Sequence, residues 1–344
     1  MRYTLAIVIL LLGFAVGCSH QAGSPPVNPP VKNNEGGTSD YFFTPTASSG
    51  MAFDPRRPEP PVQGEYVWFP SITEPYDCIV EELYIPSLNG KKLHAKLFRP
   101  DWASGEKPCH GLVLVPGGIQ VGDVWHVPWR RSGSKHWAKS GFVVIEFDFQ
   151  GRGLSEGTED RGGPQGREDL KAIIEYMIGR PDVLKSGVGL VSSSMGVVPC
   201  AGALATWTDL PVRFWIDLEG AHDRYSATQW DDPFWVGLNG GHLTSDDEYW
   251  SEREAIKFQP FITTPYIRIQ SDLDHSFDYY YVDHAFEMVN AAVNGASPYA
   301  RMNHNKPNQI LDLAESTSYE YENIYDMEPE LYSYVIQASI DDFE

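Results

Sequence analysis

The apolar run Val188-Gly-Leu-Val191 passes through Ser192-Ser-Ser-Met-Gly196 directly into the small-residue stretch Val197 to Ala205. No other junction constrains the fold as much. It reads as a buried strand, a tight turn and a helix, in that order. Such a turn lifts its central serine off the edge of a sheet. The helix N-terminus beneath it favours negative charge that develops there.

The alternation extends well beyond this junction. Cys78 to Ile85 and Lys92 to Phe98 are β-rich, and Asn89-Gly90 between them is a hairpin signal. Leu112 to Val115 and Phe142 to Asp148 read as buried strands, with a short helix at Ser134 to Ser140 between them. Gln165 to Ile178 is a helix with Ile173, Ile174, Met177 and Ile178 on its apolar face. Val212 to Leu218, Pro265 to Gln270 and Tyr299 to Met302 are further strands, and Tyr279 to Asn294 a helix. Antiparallel strands followed by strand–helix alternation predict an α/β fold. Its central sheet is mostly parallel, with helices on both faces. After the sixth strand the alternation stops between about 221 and 262. That aromatic-rich insert is too long for a plain loop and is expected to form a lid.

The chain has 344 residues, 42% of them hydrophobic, enough for one large domain over residues 51–344. The N-terminus reads as an address. Arg2 precedes the apolar run Leu5 to Val16, which is short for a membrane span and suits a signal peptide. Ala15-Val-Gly-Cys18 resembles the bacterial lipobox, which implies a lipoprotein signal over residues 1–18 in which Cys18 is lipidated and becomes the mature N-terminus. Ser19 lacks the aspartate that resembles an inner-membrane retention signal, so a lipid anchor in the cell envelope is expected, at the outer membrane if the cell has one or otherwise at the extracytoplasmic face. Residues 19–50, rich in Pro, Gly, Ser and Asn, are expected to form a flexible tether. Export would permit a disulfide, with Cys78 and Cys109 as a candidate pair; Cys200 reads as a buried small residue. The net charge of −21 argues against nucleic acid as a partner. Nine acidic residues and no Lys or Arg lie between Glu315 and Glu344, which reads as a solvated acidic surface.

Four motifs occur in a telling order. Pro116-Gly-Gly-Ile119 follows the first parallel strand. Asp148-Phe-Gln-Gly-Arg-Gly-Leu-Ser-Glu-Gly157 follows the next. Ser192 to Gly196 is a Ser-x-Ser-x-Gly turn, and Pro265 to Asp274 is a strand ending in acidic residues. Together they resemble the α/β-hydrolases over roughly residues 75–310, in the branch of serine esterases, dienelactone hydrolases and prolyl oligopeptidases. The turn at 192–196 matches the family's nucleophile elbow except at Ser192, where glycine is usual.

The resemblance implies a serine nucleophile, a histidine base and a carboxylate that fixes the histidine's tautomer. Ser194 is the nucleophile. Asp274 is the expected acid, with Asp272 its near competitor and Asp148 a distant third. Of the histidines after the acid, His275 adjoins Asp274 and His284 falls inside a helix where a packing role is expected. His304 follows a short strand, thirty residues after Asp274 (304 − 274), and is the expected base. The oxyanion hole would use the N–H of Met195 and that of Gly118, with Ile119 as the alternative to Gly118. Trp125, Trp230, Trp235 and Trp250 are candidate substrate contacts, and Glu219 a candidate for a polar or cationic substrate group. Arg152 is expected to pin neighbouring loops through a carboxylate.

No cofactor or metal is implied. The Gly151-Arg-Gly153 turn lacks the third glycine of a dinucleotide site, since residue 156 is Glu156. The leading expectation is therefore a lipid-anchored serine hydrolase acting on carboxylic esters, small or polymer-borne. A peptidase of the prolyl-oligopeptidase or dipeptidyl-peptidase kind is the alternative, and an inactive surface binding protein the third reading.

Overall fold

The computed structural model describes residues 73–126, 133–271, 274, 283–303, 305–312 and 328–340, with the two-residue pair Thr46–Ala47 and Val67–Trp68. The expected signal peptide, the lipidation site Cys18 and most of the tether lie outside the described residues. Thr46 and Ala47, assigned to the tether from sequence, instead pair in parallel with Val67 and Trp68.

Eight strands form one sheet: β1 (Cys78–Pro86), β2 (Lys92–Pro100), β3 (Cys109–Val115), β4 (Val143–Phe147), β5 (Val183–Ser193), β6 (Val212–Leu218), β7 (Tyr266–Ile269) and β8 (Ala300–Met302). Their spatial order is β8-β7-β6-β5-β3-β4-β2-β1. β1 and β2 form an antiparallel hairpin, and β2 pairs antiparallel with β4. The other neighbours, from β4 to β8, pair in parallel. Asn89-Gly90 turns the hairpin as expected, with Gly90 at φ +82°.

Period-two alternation decides which face each side chain covers. On one face Val113, Val115, Ile145, Leu190 and Trp215 pack under α2 (Pro164–Gly179), α3 (Val197–Thr206) and α8 (Asp283–Asn294). On the other, Leu112, Leu114, Val144, Val191, Phe214 and Ile216 pack under α1 (Ser134–Lys139) and α9 (Glu328–Ile340). Helices therefore cover both faces of a mostly parallel sheet. No helix among the described residues is long and apolar enough to cross a membrane.

Two expectations are corrected. The acidic C-terminal segment is not all solvated surface: within α9, Leu331, Tyr332, Tyr334, Val335, Ile336 and Ala338 are buried in the second core. Acidic residues around this stretch masked an apolar face that closes the sheet. Cys78 and Cys109 are both free thiols. They lie on strands separated by β2 and β4, which sheet order keeps apart. Cys200 is fully buried, as expected.

Candidate active site

Ser194 sits where β5 ends, at φ +53°, followed by one 3-10 turn (Ser194–Gly196) and α3. A left-handed non-glycine backbone costs on the order of 1–3 kcal/mol and persists only where packing imposes it. Here the close fit of the elbow imposes it. A Cβ on Gly117 would lie 2.5 Å from the Ser193 carbonyl oxygen and 2.8 Å from the Ser194 Cβ. A Cβ on Gly196 would lie 3.0 Å from the Pro116 oxygen. Glycine at both positions lets the Pro116-Gly-Gly loop pack against the elbow.

The departure at Ser192 has a physical reason. Ser192 is extended, inside β5, between Val115 and Asp217 of the neighbouring strands. Its hydroxyl accepts a hydrogen bond from Trp215 Nε1 at 2.9 Å. The left-handed residue is Ser194, so a Cβ at 192 is accommodated.

Gly118 also has a left-handed backbone, φ +47°, and the space where a Cβ would stand is open to 4 Å. Gly117 O accepts from Gln120 N at 2.9 Å and closes the turn. Arg152 fixes it from behind: its guanidinium pairs with Glu159 and donates to the Gln120 carbonyl at 3.2 Å. The loop-pinning role expected for Arg152 is thus seen. Asp148, a minor candidate for the acid, is instead the knot of the glycine-rich turn. It accepts from Gly122 N at 2.8 Å and Leu154 N at 3.1 Å, and lies 2.9 Å from His94 Nδ1.

Asp274 is buried beyond the end of β7. Its Oδ2 accepts from Gln270 Nε2 at 2.9 Å and lies 3.1 Å from His284 Nε2. Gln270 is held in turn: its backbone N–H donates to Asn303 Oδ1 at 2.9 Å and its carbonyl accepts from Asn303 Nδ2 at 2.7 Å. The segment carrying the acid is therefore bonded to the residue that precedes His304. His304, His275 and Asp272 themselves lie outside the described residues.

His284 was expected to play a packing part. It is fully enclosed, and its ring contacts the candidate acid. Burial lowers its pKa from the ordinary value and Arg268 and His222 add to this, while Asp274 opposes. Arg268 is also fully buried. It donates to Asp217 Oδ2 at 2.6 Å, to the Gly220 carbonyl at 2.9 Å and to Gln270 Oε1 at 3.1 Å. Burial disfavours its charge, but Asp217 overrides this and the pKa is raised.

In sequence, residues 89–230 match the model of the X-Pro dipeptidyl-peptidase (S15 family). That span includes the Pro116-Gly-Gly loop and the Ser192–Gly196 turn and stops before Asp274. No curated protein matches the sequence significantly. Solved structures do match in fold. Prolyl oligopeptidase B from Galerina marginata is 11% identical with a TM-score of 0.57, over 76% of this chain and 37% of that one. Dipeptidyl peptidase 4 from Porphyromonas gingivalis is 15% identical with a TM-score of 0.52, over 67% and 32%. An esterase from Pyrococcus furiosus is 15% identical with a TM-score of 0.54, over 82% and 99%. By fold, this chain is an α/β-hydrolase. It spans about a third of the length of the two peptidases and nearly all of the esterase.

In this α/β-hydrolase the insert after β6 carries four short helices, α4 (Arg224–Thr228), α5 (Pro233–Leu238), α6 (Asp247–Ser251) and α7 (Ala255–Phe258). Asp223, Asp232 and Asp246 cap the first three. Arg224 grips Glu254 at 3.0 and 3.1 Å. Arg253 donates twice to the Asp160 carbonyl, at 3.0 and 2.8 Å, and so ties the insert to the loop before α2. The candidate substrate tryptophans separate. Trp230 is exposed and Trp235 half-buried. Trp125 and Trp250 are corrected to core positions: Trp125 is enclosed in the second core cluster, and Trp250 packs inside the insert, donating to the Leu243 carbonyl at 2.8 Å. Glu219 is corrected too. It is fully buried and accepts from Ser271 N at 3.1 Å and from the Ser271 hydroxyl, which joins the ends of β6 and β7.

Sequence reasoning missed the Asp217–Arg268–Gln270 network behind the acid. Its signal was present: Arg268 interrupts an otherwise apolar strand, Tyr266 to Ile269, and a buried charge demands a partner.

Proposed function

We propose that the protein is a serine hydrolase that cleaves carboxylic esters through an acyl-enzyme. The observation that carries this reading is the left-handed Ser194 at the β5–α3 turn, packed against a glycine loop that only Gly117 fits. Ser194 Oγ attacks the ester carbonyl while His304 takes its proton. The oxyanion receives hydrogen bonds from the N–H groups of Met195 and Gly118. The alcohol leaves with the proton from His304. Water, deprotonated by the same histidine, then frees the acid and restores the serine. Asp274 orients His304 and stabilises its cation. The match over 99% of the Pyrococcus furiosus esterase supports the ester reading.

A second reading has its own support. The match to the X-Pro dipeptidyl-peptidase model covers the elbow, and two of the structural neighbours are peptidases. An aminoacyl-proline substrate would use the same groups. We also propose, from Cys18 and its flanks, that the mature protein is lipid-anchored in the cell envelope.

Labelling by a fluorophosphonate that is lost in Ser194→Ala is the expected result. A well-folded protein that takes no label would sink both enzyme readings and leave a binding role. Turnover of short-chain aryl esters against aminoacyl-proline anilides then separates the two. A higher kcat/KM on the anilides would replace the esterase with the peptidase.

A further inference from the structure

His284 Nε2 stands between two groups that make opposite demands. Arg268 Nη2, a donor, is 3.0 Å away, and Asp274 Oδ2, an acceptor, is 3.1 Å away. One ring nitrogen cannot accept a hydrogen from the guanidinium and donate one to the carboxylate at the same time. The surroundings are otherwise fixed. Arg268 is anchored by Asp217 Oδ2 and Gly220 O, and Asp274 Oδ2 by Gln270 Nε2. On the other side, the His222 ring lies 5.6 Å from that of His284, and His222 Nε2 is 2.6 Å from Glu287 Oε2. Among the described residues, the charged and titratable groups facing His284 include Asp274 and Arg268, from β7 and the loop beyond it, and His222 from the start of the insert. Glu287, on α8, acts through His222, and Asp217, on β6, through Arg268.

We propose that His284 is a positioning residue for the catalytic carboxylate, and that its protonation exchanges the partner of Nε2 from Arg268 to Asp274. The proposal rests on Asp274 being the acid of the site. In the neutral ring the proton is on Nδ1, and the Nε2 lone pair accepts from Arg268. Asp274 then keeps its full negative charge, with Gln270 donating to Oδ2, and orients the base. Addition of a solvent proton at Nε2 breaks the bond from Arg268 and forms an N–H donated to Oδ2. The new cation lies against the carboxylate and shares its charge. Less of that charge remains to stabilise the imidazolium that forms on the base during attack, so kcat falls.

The test is the acid limb of the kcat profile of the full-length protein on a short-chain aryl ester. With two protonations, one on the base and one on His284, log kcat falls with a slope steeper than one where His284 takes up its proton, approaching two as the loss on that protonation becomes complete. His284→Gln offers Nε2 and Oε1 to the same neighbours but does not titrate. It is expected to lower kcat about three- to tenfold at neutral pH with KM little changed, and to return the slope to one. A residue that merely fills space would change kcat without changing the slope. A wild-type slope of one throughout overturns the proposal, as does a slope of two that survives in His284→Gln. Circular dichroism at each pH shows whether the variant is folded; if it is not, His284→Asn takes its place, and the wild-type slope still decides. Ser194→Ala and Asp274→Ala separate the levels of failure. If either retains wild-type turnover, the site itself is misread. If both abolish turnover and the slope is one, only the role of His284 is wrong.

Discussion

Asp217→Asn tests the buried charge network most directly. Asp217 and Arg268 are both fully enclosed, with 2.6 Å between Oδ2 and Nη1. The substitution keeps the shape and one acceptor oxygen, so Tyr266, whose hydroxyl is 2.9 Å from Oδ2, retains a partner. What is removed is the negative charge. Two unit charges about 4 Å apart attract by about 4 kcal/mol at an effective dielectric near 20. Breaking a buried pair from one side typically costs about 3–5 kcal/mol, because the other charge stays buried. Asp217→Asn is therefore expected to lose about 3–5 kcal/mol, a drop in Tm on the order of 10 °C for a domain of this size. Arg268→Met should cost a similar amount by stranding Asp217. The double variant removes both charges, so its loss should fall short of the sum by about 3 kcal/mol. Urea unfolding of the wild type, both single variants and the double variant gives the four free energies. Single losses below about 1 kcal/mol, or a double loss equal to the sum, would refute the argument that this pair is dry and mutually dependent.

Three further outcomes are expected. His304→Ala should lower kcat by about a thousandfold or more on any ester, and turnover within a few-fold of wild type would show that another group is the base. Glu146 is buried in β4, accepts from the Ser134 hydroxyl, and is pushed up to about 8 by burial. A folded pKa above the unfolded value means the folded state holds the proton longer. Stability should decline by about 1.4 kcal/mol per pH unit from near the ordinary carboxyl value up to about pH 8, and then level. Urea midpoints of wild type and Glu146→Gln at pH 5 and pH 8 check this, with the variant gaining on the wild type as pH rises. Tyr334→Phe removes a hydroxyl that donates to the Asn303 carbonyl beside the expected base. It should cost about 1 kcal/mol of stability and also lower kcat, so an unchanged kcat would show that α9 does not help to set the site.

Much of the sheet was legible because each strand of the α/β alternation is a short apolar run bounded by turn residues. Val212–Leu218 has the limits read from sequence, and most other elements shift by only a few residues. The tight turn at Ser192–Gly196 and the glycine turn at Gly117-Gly118 were legible because small residues are required there by local backbone geometry. Other features were hidden by their dependence on distant residues. The apolar face of α9 was obscured by the acidic residues around it. Trp125 and Trp250 read as candidate substrate contacts because a side chain's surroundings are not written in its own segment.

The sequence by itself determined the order of strands and helices and the tight turn that carries Ser194 between a strand and a helix. These are local matters of periodicity and allowed φ. Only the tertiary structure decided that Ser192 meets Trp215, that Arg268 is neutralised by Asp217, and that His284 lies against Asp274. Those contacts join residues 10 to 51 positions apart, brought together by parallel strands whose order in space differs from their order in the chain. A buried polar group must find its partner in three dimensions, and no local pattern names that partner.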